Sequence, residues 1–282
     1  MDPTRPEPFR FEPRPGAVLR GDLWTPTAPV EGADTGLVIC HGFKGFKDWG
    51  FFPFASRTLV SRLHCPVVSF NFTGSGIGDD PESFSEREAF GHNTFSRECA
   101  DLEAVLDGLA EGRLGALSFP RVTRFGVLGH SRGGVATILS AERTDVVAIA
   151  TWAAIASPLR YAALFEGVEP GGTVEITNAR TGEVLPLYSD VVLDLEANRD
   201  RFDLNASLAR SRVPLLVVHG TEDLAVPVED GRQLAAAGVD ASLEIIDGAG
   251  HTFEVGHPFM GPSPELTAAL SFTGDHFERH LM

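Results

Sequence analysis

The sequence is short of the features that mark several protein classes. It has only three cysteines, Cys40, Cys65 and Cys99, widely spaced and with no CxxC. That excludes a disulfide framework or a zinc knuckle. Cys40 and Cys65 each border an apolar run and read as buried thiols. There is no HExxH and no carboxylate cluster, so no metal is expected, and no cofactor. No run reaches the roughly 18 apolar residues of a membrane span. The first residues, MDPTRPEPFRFEPRPG, lack a cationic start followed by an apolar stretch. The expected setting is therefore reducing and cytoplasmic. Internal repeats and low-complexity tracts are absent. Basic residues are scarce, 23 against 39 acidic ones, for a formal net charge of -16. Such a surface repels phosphate backbones and anionic lipid, so neither nucleic acid nor membrane is expected as a partner.

What is present is an ordinary globular composition, 43% hydrophobic and 22% charged over 282 residues, enough for a large core. Short apolar runs punctuate the chain: AVLRGDLWTP, TGLVICHG, PVVSFNF, RVTRFGVLGH, VVAIATWAA, VPLLVVHG and ASLEIID. Several end at a glycine or an acid, as strands buried on both faces do. Helical patterns lie between them. FFPFASRTLVSRLH is one. NTFSRECADLEAVLDGLAEG starts at a cap, Asn93 or Thr94, and stripes Cys99, Leu102, Val105, Leu106 and Leu109. SRGGVATILSAER, EDGRQLAAAG and SPELTAALSFTGDHFERHL, capped by Ser263, complete the set. Strand alternating with helix predicts a doubly wound α/β fold around a mostly parallel sheet. From about 157 to 212 the chain is longer than a βα loop needs. TVEITNARTGEVLPL reads as a hairpin turning near Arg180-Thr181-Gly182, followed by one or two short helices. Residues 1–282 thus form a single domain with an insertion at about 157–212, as a monomer or homodimer.

One short stretch carries chemistry. Gly129-His130-Ser131-Arg132-Gly133 fits G-x-S-x-G, between a strand and a helix. At such a turn the serine Oγ is held out at the carboxyl end of the sheet, and the next backbone N–H faces developing negative charge. A glycine-eased turn with an incidental serine is the plain alternative. The rest of the sequence counts against it. A serine hydroxyl needs a base, and the base needs a third group to fix its tautomer. His251 lies in the Gly-rich DGAGHTF after one predicted strand, and Asp223 lies in VVHGTEDLAVP just beyond another. In a parallel sheet these loops emerge at one edge. The second oxyanion donor should come from HGFKGFKDWGFFPF, with the Phe43 N–H as candidate beside that of Arg132. His41 reads as a loop organiser.

With HGFKG, GHSRGG, HGTEDLAVP and GAGHTF in that order, the chain resembles the α/β-hydrolases over nearly its whole length. It is most similar to bacterial carboxylesterases of the cinnamoyl and feruloyl esterase-like group and to serine aminopeptidase-like hydrolases. The resemblance implies a short cap between the sixth and seventh strands of the sheet. It implies Ser131 as nucleophile, His251 as base, Asp223 as its partner, and the backbone N–H groups of Phe43 and Arg132 as oxyanion hole. It also favours Asp223 over the adjacent Glu222. Asp247 ends a strand, and TWAAIASP offers no carboxylate. His219, His257, His276 and His280 read as structural or surface residues.

FTGSGIGDD lacks G-x-G-x-x-G spacing and reads as a flexible loop. The aromatic residues near the oxyanion loop mostly belong to the core, with Phe46 and Trp49, together with Trp152 and Tyr161, as candidates for an apolar pocket. The side chain of Arg132 is expected to face solvent. The expected partner is a small-molecule acyl ester. The alternatives are an aminopeptidase or amidase, which would use carboxylates such as Glu166, Asp190 or Asp194 to hold an amine, an acyltransferase, and a non-catalytic binding protein.

Overall fold

The computed structural model describes residues 6–28, 34–115, 121–169, 171–178 and 182–282. Two strands open the chain, β1 (Glu7–Arg14) and β2 (Ala17–Trp24), followed by β3 (Thr35–Cys40). Helix α1 (Phe52–Leu63) leads to β4 (Val67–Asn71), and the short α2 (Arg87–Gly91) precedes α3 (Phe95–Ala110). Next come β5 (Arg124–His130), α4 (Gly133–Ser140) and β6 (Val146–Trp152). An eight-residue 3₁₀ helix (Pro158–Phe165), the hairpin β7 (Thr173–Thr177) and β8 (Val184–Tyr188), and helices α5 (Asp190–Ala197) and α6 (Leu204–Arg210) occupy the long segment. The chain closes with β9 (Leu215–Gly220), α7 (Val228–Ala237), β10 (Ala241–Ile246) and α8 (Pro264–Leu281).

Eight strands form one sheet in the order β1-β2-β4-β3-β5-β6-β9-β10. Only β1 with β2 and β2 with β4 pair antiparallel; the rest is parallel. All residues of β3, β4 and β9 are buried, which is why they read as unbroken apolar runs rather than alternating ones. Side chains still alternate across the sheet. Leu37 and Ile39 of β3 join Leu59 of α1 and Leu266, Leu270 and Phe277 of α8 on one face. Val38 and Cys40 join Leu102 and Leu106 of α3, Val135 and Ile138 of α4, and Leu234 of α7 on the other. Each such side chain contributes about 1.5–3 kcal/mol by leaving water. All three cysteines are buried and free.

Helix starts follow local chemistry. Thr94, not Asn93, caps α3 by accepting from the Arg97 N–H at 3.2 Å, and Ser263 caps α8 by accepting from Leu266 N–H at 2.9 Å. Strand β1 was not expected, because Pro8 and Pro13 sit within it. It lies at the sheet edge, where a missing N–H costs no ladder bond, and Phe9 is the residue it buries. Of the expected hairpin turn, Arg180 and Thr181 lie outside the described residues. Among the described residues no helix is long and apolar enough to cross a membrane.

Candidate active site

Strand β5 delivers the chain to Ser131, whose φ is +54°, before α4 begins. A side chain in that left-handed region is strained, and it persists because its surroundings leave no room to relax. The Ser131 N–H is held by the Trp152 carbonyl at 2.8 Å. A Cβ at Gly129 would collide with the Thr137 hydroxyl, and one at Gly133 with the His41 carbonyl. The glycines around Ser131 are therefore demanded by close approach.

Loops after β5, β9 and β10 converge at this edge of the sheet. His251 Nε2 lies 3.1 Å from Ser131 Oγ, and His251 Nδ1 lies 2.7 Å from Asp223 Oδ2. Asp223 Oδ1 accepts from the N–H groups of Ala225 at 2.9 Å and Val226 at 2.8 Å. Burial works to raise the Asp223 pKa, but the neighbouring His219, together with hydrogen bonds from His251 and Val226, prevails and holds it well below the usual carboxylate range. Glu222 is not in this network, and Asp247 accepts from the Thr221 hydroxyl at 3.2 Å. Among the described residues, the backbone N–H groups of Phe43 and Arg132 make no hydrogen bond.

Two further histidines support the site without touching Ser131. The His130 Nε2–H donates to the His251 carbonyl at 2.9 Å, and its ring packs 4.8 Å from that of His251. His130 occupies the variable position of the motif, and nothing in the sequence marked it as a strut for the base. His41 donates from Nδ1 to the Gly42 carbonyl at 2.8 Å and accepts at Nε2 from the Phe72 N–H at 3.2 Å. Burial is the main cause lowering both, His130 to about 3 with the neighbouring His251 charge adding, and His41 to about 4. The folded protein keeps both neutral, whereas the unfolded chain takes up protons at about 6.5. Above that pH the two sites add nothing to the pH dependence. As the pH falls from about 6.5 towards about 4, the unfolded state binds protons the folded state refuses. Stability should then drop by up to about 1.4 kcal/mol per pH unit for each site. Denaturant midpoints taken from pH 7 to pH 4.5 measure this, and a midpoint that holds steady would contradict it.

The side chain of Arg132 does not face solvent, contrary to expectation. It is 1% exposed, with Nε 2.8 Å from Glu98 Oε1. Its guanidinium lies 4.0 Å from the Phe95 ring centroid and 4.6 Å from that of Tyr161. Asn93 also donates to Glu98 Oε1, at 2.7 Å. Burial raises the Glu98 pKa while the Arg132 charge opposes it. The residue after the serine is thus anchored by a buried pair, which fixes its backbone N–H.

A cavity of about 450 Å³ opens beside Ser131 and His251. Phe43, Ile155, Tyr161, Leu164, Ile176 and Val226 supply its apolar wall. Of the four pocket candidates only Tyr161 lines it. Phe46 is fully buried and packs with Ile77, Phe84, Phe90 and Leu185. Trp49 packs against Phe51 and His257. Trp152 is 1% exposed under the sheet, its indole N–H donating to Thr273 Oγ1 at 2.8 Å. Changing Trp152 to Phe should therefore cost roughly 1–3 kcal/mol of stability, by a lost hydrogen bond and a void. It should leave kcat/KM on an ester within about threefold of the parent, since the Trp152 side chain packs against α8 and does not line the cavity, and its carbonyl bond to Ser131 is kept. A selective change in KM would return Trp152 to the pocket. A larger cavity, of about 750 Å³, lies at the β7–β8 hairpin among Val18, Glu86, Arg87 and Glu175, and none of Ser131, Asp223 or His251 lines it.

Solved structures resemble this one over almost its whole length. Est1E from Butyrivibrio proteoclasticus superposes with a TM-score of 0.70 at 19% identity, covering 95% of this chain and 96% of that one. The esterase domain of a Rhodothermus marinus protein matches with a TM-score of 0.66 at 22% identity, covering 99% of this chain and 100% of that one. A puromycin-hydrolyzing peptidase of Mycobacterium tuberculosis matches with a TM-score of 0.69 at 18% identity, covering 98% of this chain and 39% of that one. At these identities the likeness is one of fold. No curated protein matches the sequence. Residues 37–270 match the model of the alpha/beta hydrolase family, a stretch that runs from β3 into α8. By that match and by its sheet order, the chain belongs to the alpha/beta hydrolase family.

Proposed function

We propose that this chain is a serine hydrolase that cleaves small to medium carboxylic esters, aryl esters included, through an acyl-enzyme. The observation that carries the reading is the chain of contacts Ser131 Oγ, His251 Nε2, His251 Nδ1, Asp223 Oδ2, with successive separations of 3.1 and 2.7 Å across the ring, at the mouth of an apolar cavity. Ser131 Oγ attacks the acyl carbonyl as its proton passes to His251 Nε2. The oxyanion is received by the N–H groups of Phe43 and Arg132. The same proton goes to the departing alkoxide, which leaves as the alcohol. Water then gives its proton to His251 and attacks the acyl-enzyme, and Ser131 is restored as the acid departs. Residues 157–212 act as a cap. Its 3₁₀ helix and the β7 strand contribute Arg160, Tyr161, Leu164 and Ile176 to the cavity wall, which supports that role.

The aminopeptidase reading asks for carboxylates facing the substrate amine. No carboxylate lines the cavity among the described residues. Asp194 instead accepts from the Ser96 N–H, and Asp190 pairs with His92. The test is a panel of p-nitrophenyl esters of rising acyl length beside aminoacyl p-nitroanilides. Esters should turn over faster by a wide margin, with a maximum at intermediate length. Faster anilide cleavage would overturn the ester assignment in favour of the peptidase.

A further inference from the structure

The cavity has a charge character opposite to that of the chain. Acidic residues outnumber basic ones 39 to 23 overall, yet among the described residues the only ionic side chains lining the cavity, apart from His251, are the cations Lys44 and Arg160. Lys44 follows the oxyanion residue Phe43 directly. The sequence holds just two lysines, Lys44 and Lys47, both in this loop. They are used differently. Lys47 Nζ is paired with Asp22 at 2.6 Å and with Asp48 at 2.8 Å. Lys44 Nζ donates to a backbone carbonyl, that of Thr177 at 3.2 Å, and lies 5.9 Å from the Phe43 ring centroid, and among the described residues it pairs with no carboxylate. Its surroundings desolvate it, and burial lowers its pKa with no opposing charge. A partly dehydrated ammonium without a counterion is an unfavourable arrangement unless a ligand supplies one.

The second cation comes from the 157–212 segment. Arg160, on the 3₁₀ helix, donates to the carbonyl of Ala225, two residues beyond Asp223, at 3.0 Å. Its remaining charge is only loosely balanced, by Asp230 at 3.6 Å with Arg160 40% exposed. An acyl chain or a leaving group extending from the carbonyl carbon at Ser131 can therefore end at a cation.

We propose that the cavity selects esters carrying a second, anionic group, a carboxylate, received by Lys44 Nζ with Arg160 as the second cation. This rests on the ester-hydrolase reading and deepens it: the substrate class is the half-ester of a dicarboxylic acid or an ester of a hydroxy acid. A charge-assisted hydrogen bond in a partly dry cavity corresponds to roughly a ten- to hundredfold preference. The preference should shrink as salt is raised, because Lys44 is only half-buried.

Paired substrates test it. Mono-p-nitrophenyl adipate is compared with p-nitrophenyl hexanoate for an anion on the acyl side. The p-acetoxybenzoate anion is compared with its methyl ester for an anion on the alcohol side. Wild type should favour the charged member of at least one pair by about tenfold or more in kcat/KM. Lys44→Gln or Arg160→Gln should bring that ratio towards one, while Lys44→Arg keeps it. A ratio cancels any general damage to the oxyanion loop. Preference for the neutral member of both pairs, or a ratio that both Gln variants leave alone, overturns the proposal. Should no ester be turned over through Ser131, the ester reading falls separately, and calorimetric titration decides the anion site. Adipate binding that hexanoate lacks and Lys44→Gln abolishes keeps the site, and equal or absent binding removes it.

Discussion

Ester turnover by Ser131→Ala is expected to fall by about 10⁴- to 10⁶-fold, with folding left intact. Among the described residues the Ser131 hydroxyl has one hydrogen-bond partner, His251 Nε2 at 3.1 Å. Removing it frees a ring nitrogen on a side chain that is 25% exposed at the cavity, where water can replace the lost contact. The backbone strain at φ +54° is the same for alanine as for serine, and the N–H to Trp152 is unaffected. The change in unfolding free energy should therefore stay within about 1 kcal/mol. Labelling by a fluorophosphonate probe should vanish together with turnover, since the probe needs the activated oxygen. Residual turnover within tenfold of the parent would mean that another group attacks the carbonyl. Labelling of the parent without turnover on any substrate would instead point to a narrow specificity, with the nucleophile intact.

How much of this was legible in the sequence depended on whether the signal was local. The three loops could be placed because parallel strands buried on both faces announce themselves as apolar runs ending at glycine or acid, and such strands bring their carboxyl ends to one edge. Ser131 and His251 needed little more than that, whereas the choice of Asp223 over Glu222 came from the family resemblance. Arg132 did need more. Its burial depends on Glu98, which enters from α3 across the core. The sequence held one clue: Glu98 lies beside Cys99 and Leu102 on a face that is mostly apolar. The aromatic residues of the oxyanion loop failed as pocket candidates for a related reason. Nearness in sequence does not say which way a tight loop turns its side chains. Positive φ at Lys44 and Gly50 reverses the chain, sending Phe46 and Phe51 inward while Phe43 alone meets the cavity. Strand β1 was hidden by its prolines, which only an edge position could accommodate. Long-range packing thus decided each of these points, and a single sequence carries little trace of it.

Asp223→Asn should lower kcat by about 10⁴-fold although it changes hardly any atoms in shape. Asp223 Oδ1 is committed to two backbone donors, Ala225 and Val226, which an asparagine can satisfy only with its oxygen. The asparagine nitrogen must then face His251, where Oδ2 stood at 2.7 Å. Two donors cannot share that contact, so His251 must accept there with Nδ1 and carry its proton on Nε2. That proton points at Ser131 Oγ, and the ring can no longer take one from it. The loss is one of tautomer, so it should appear in kcat with little change in KM and with the fold preserved. The parent offers a control. Its Asp223 carboxylate, held far below the ordinary range, stays ionised down to strongly acidic pH, so mild acid does not remove the partner of His251. A variant that kept more than about a tenth of parent kcat would show that Asp223 is not what fixes the tautomer of His251. His219, whose Nε2 stands 3.5 Å from Asp223 Oδ2, could not take over that task, because the same Nε2–H already donates to the Val226 carbonyl at 2.9 Å.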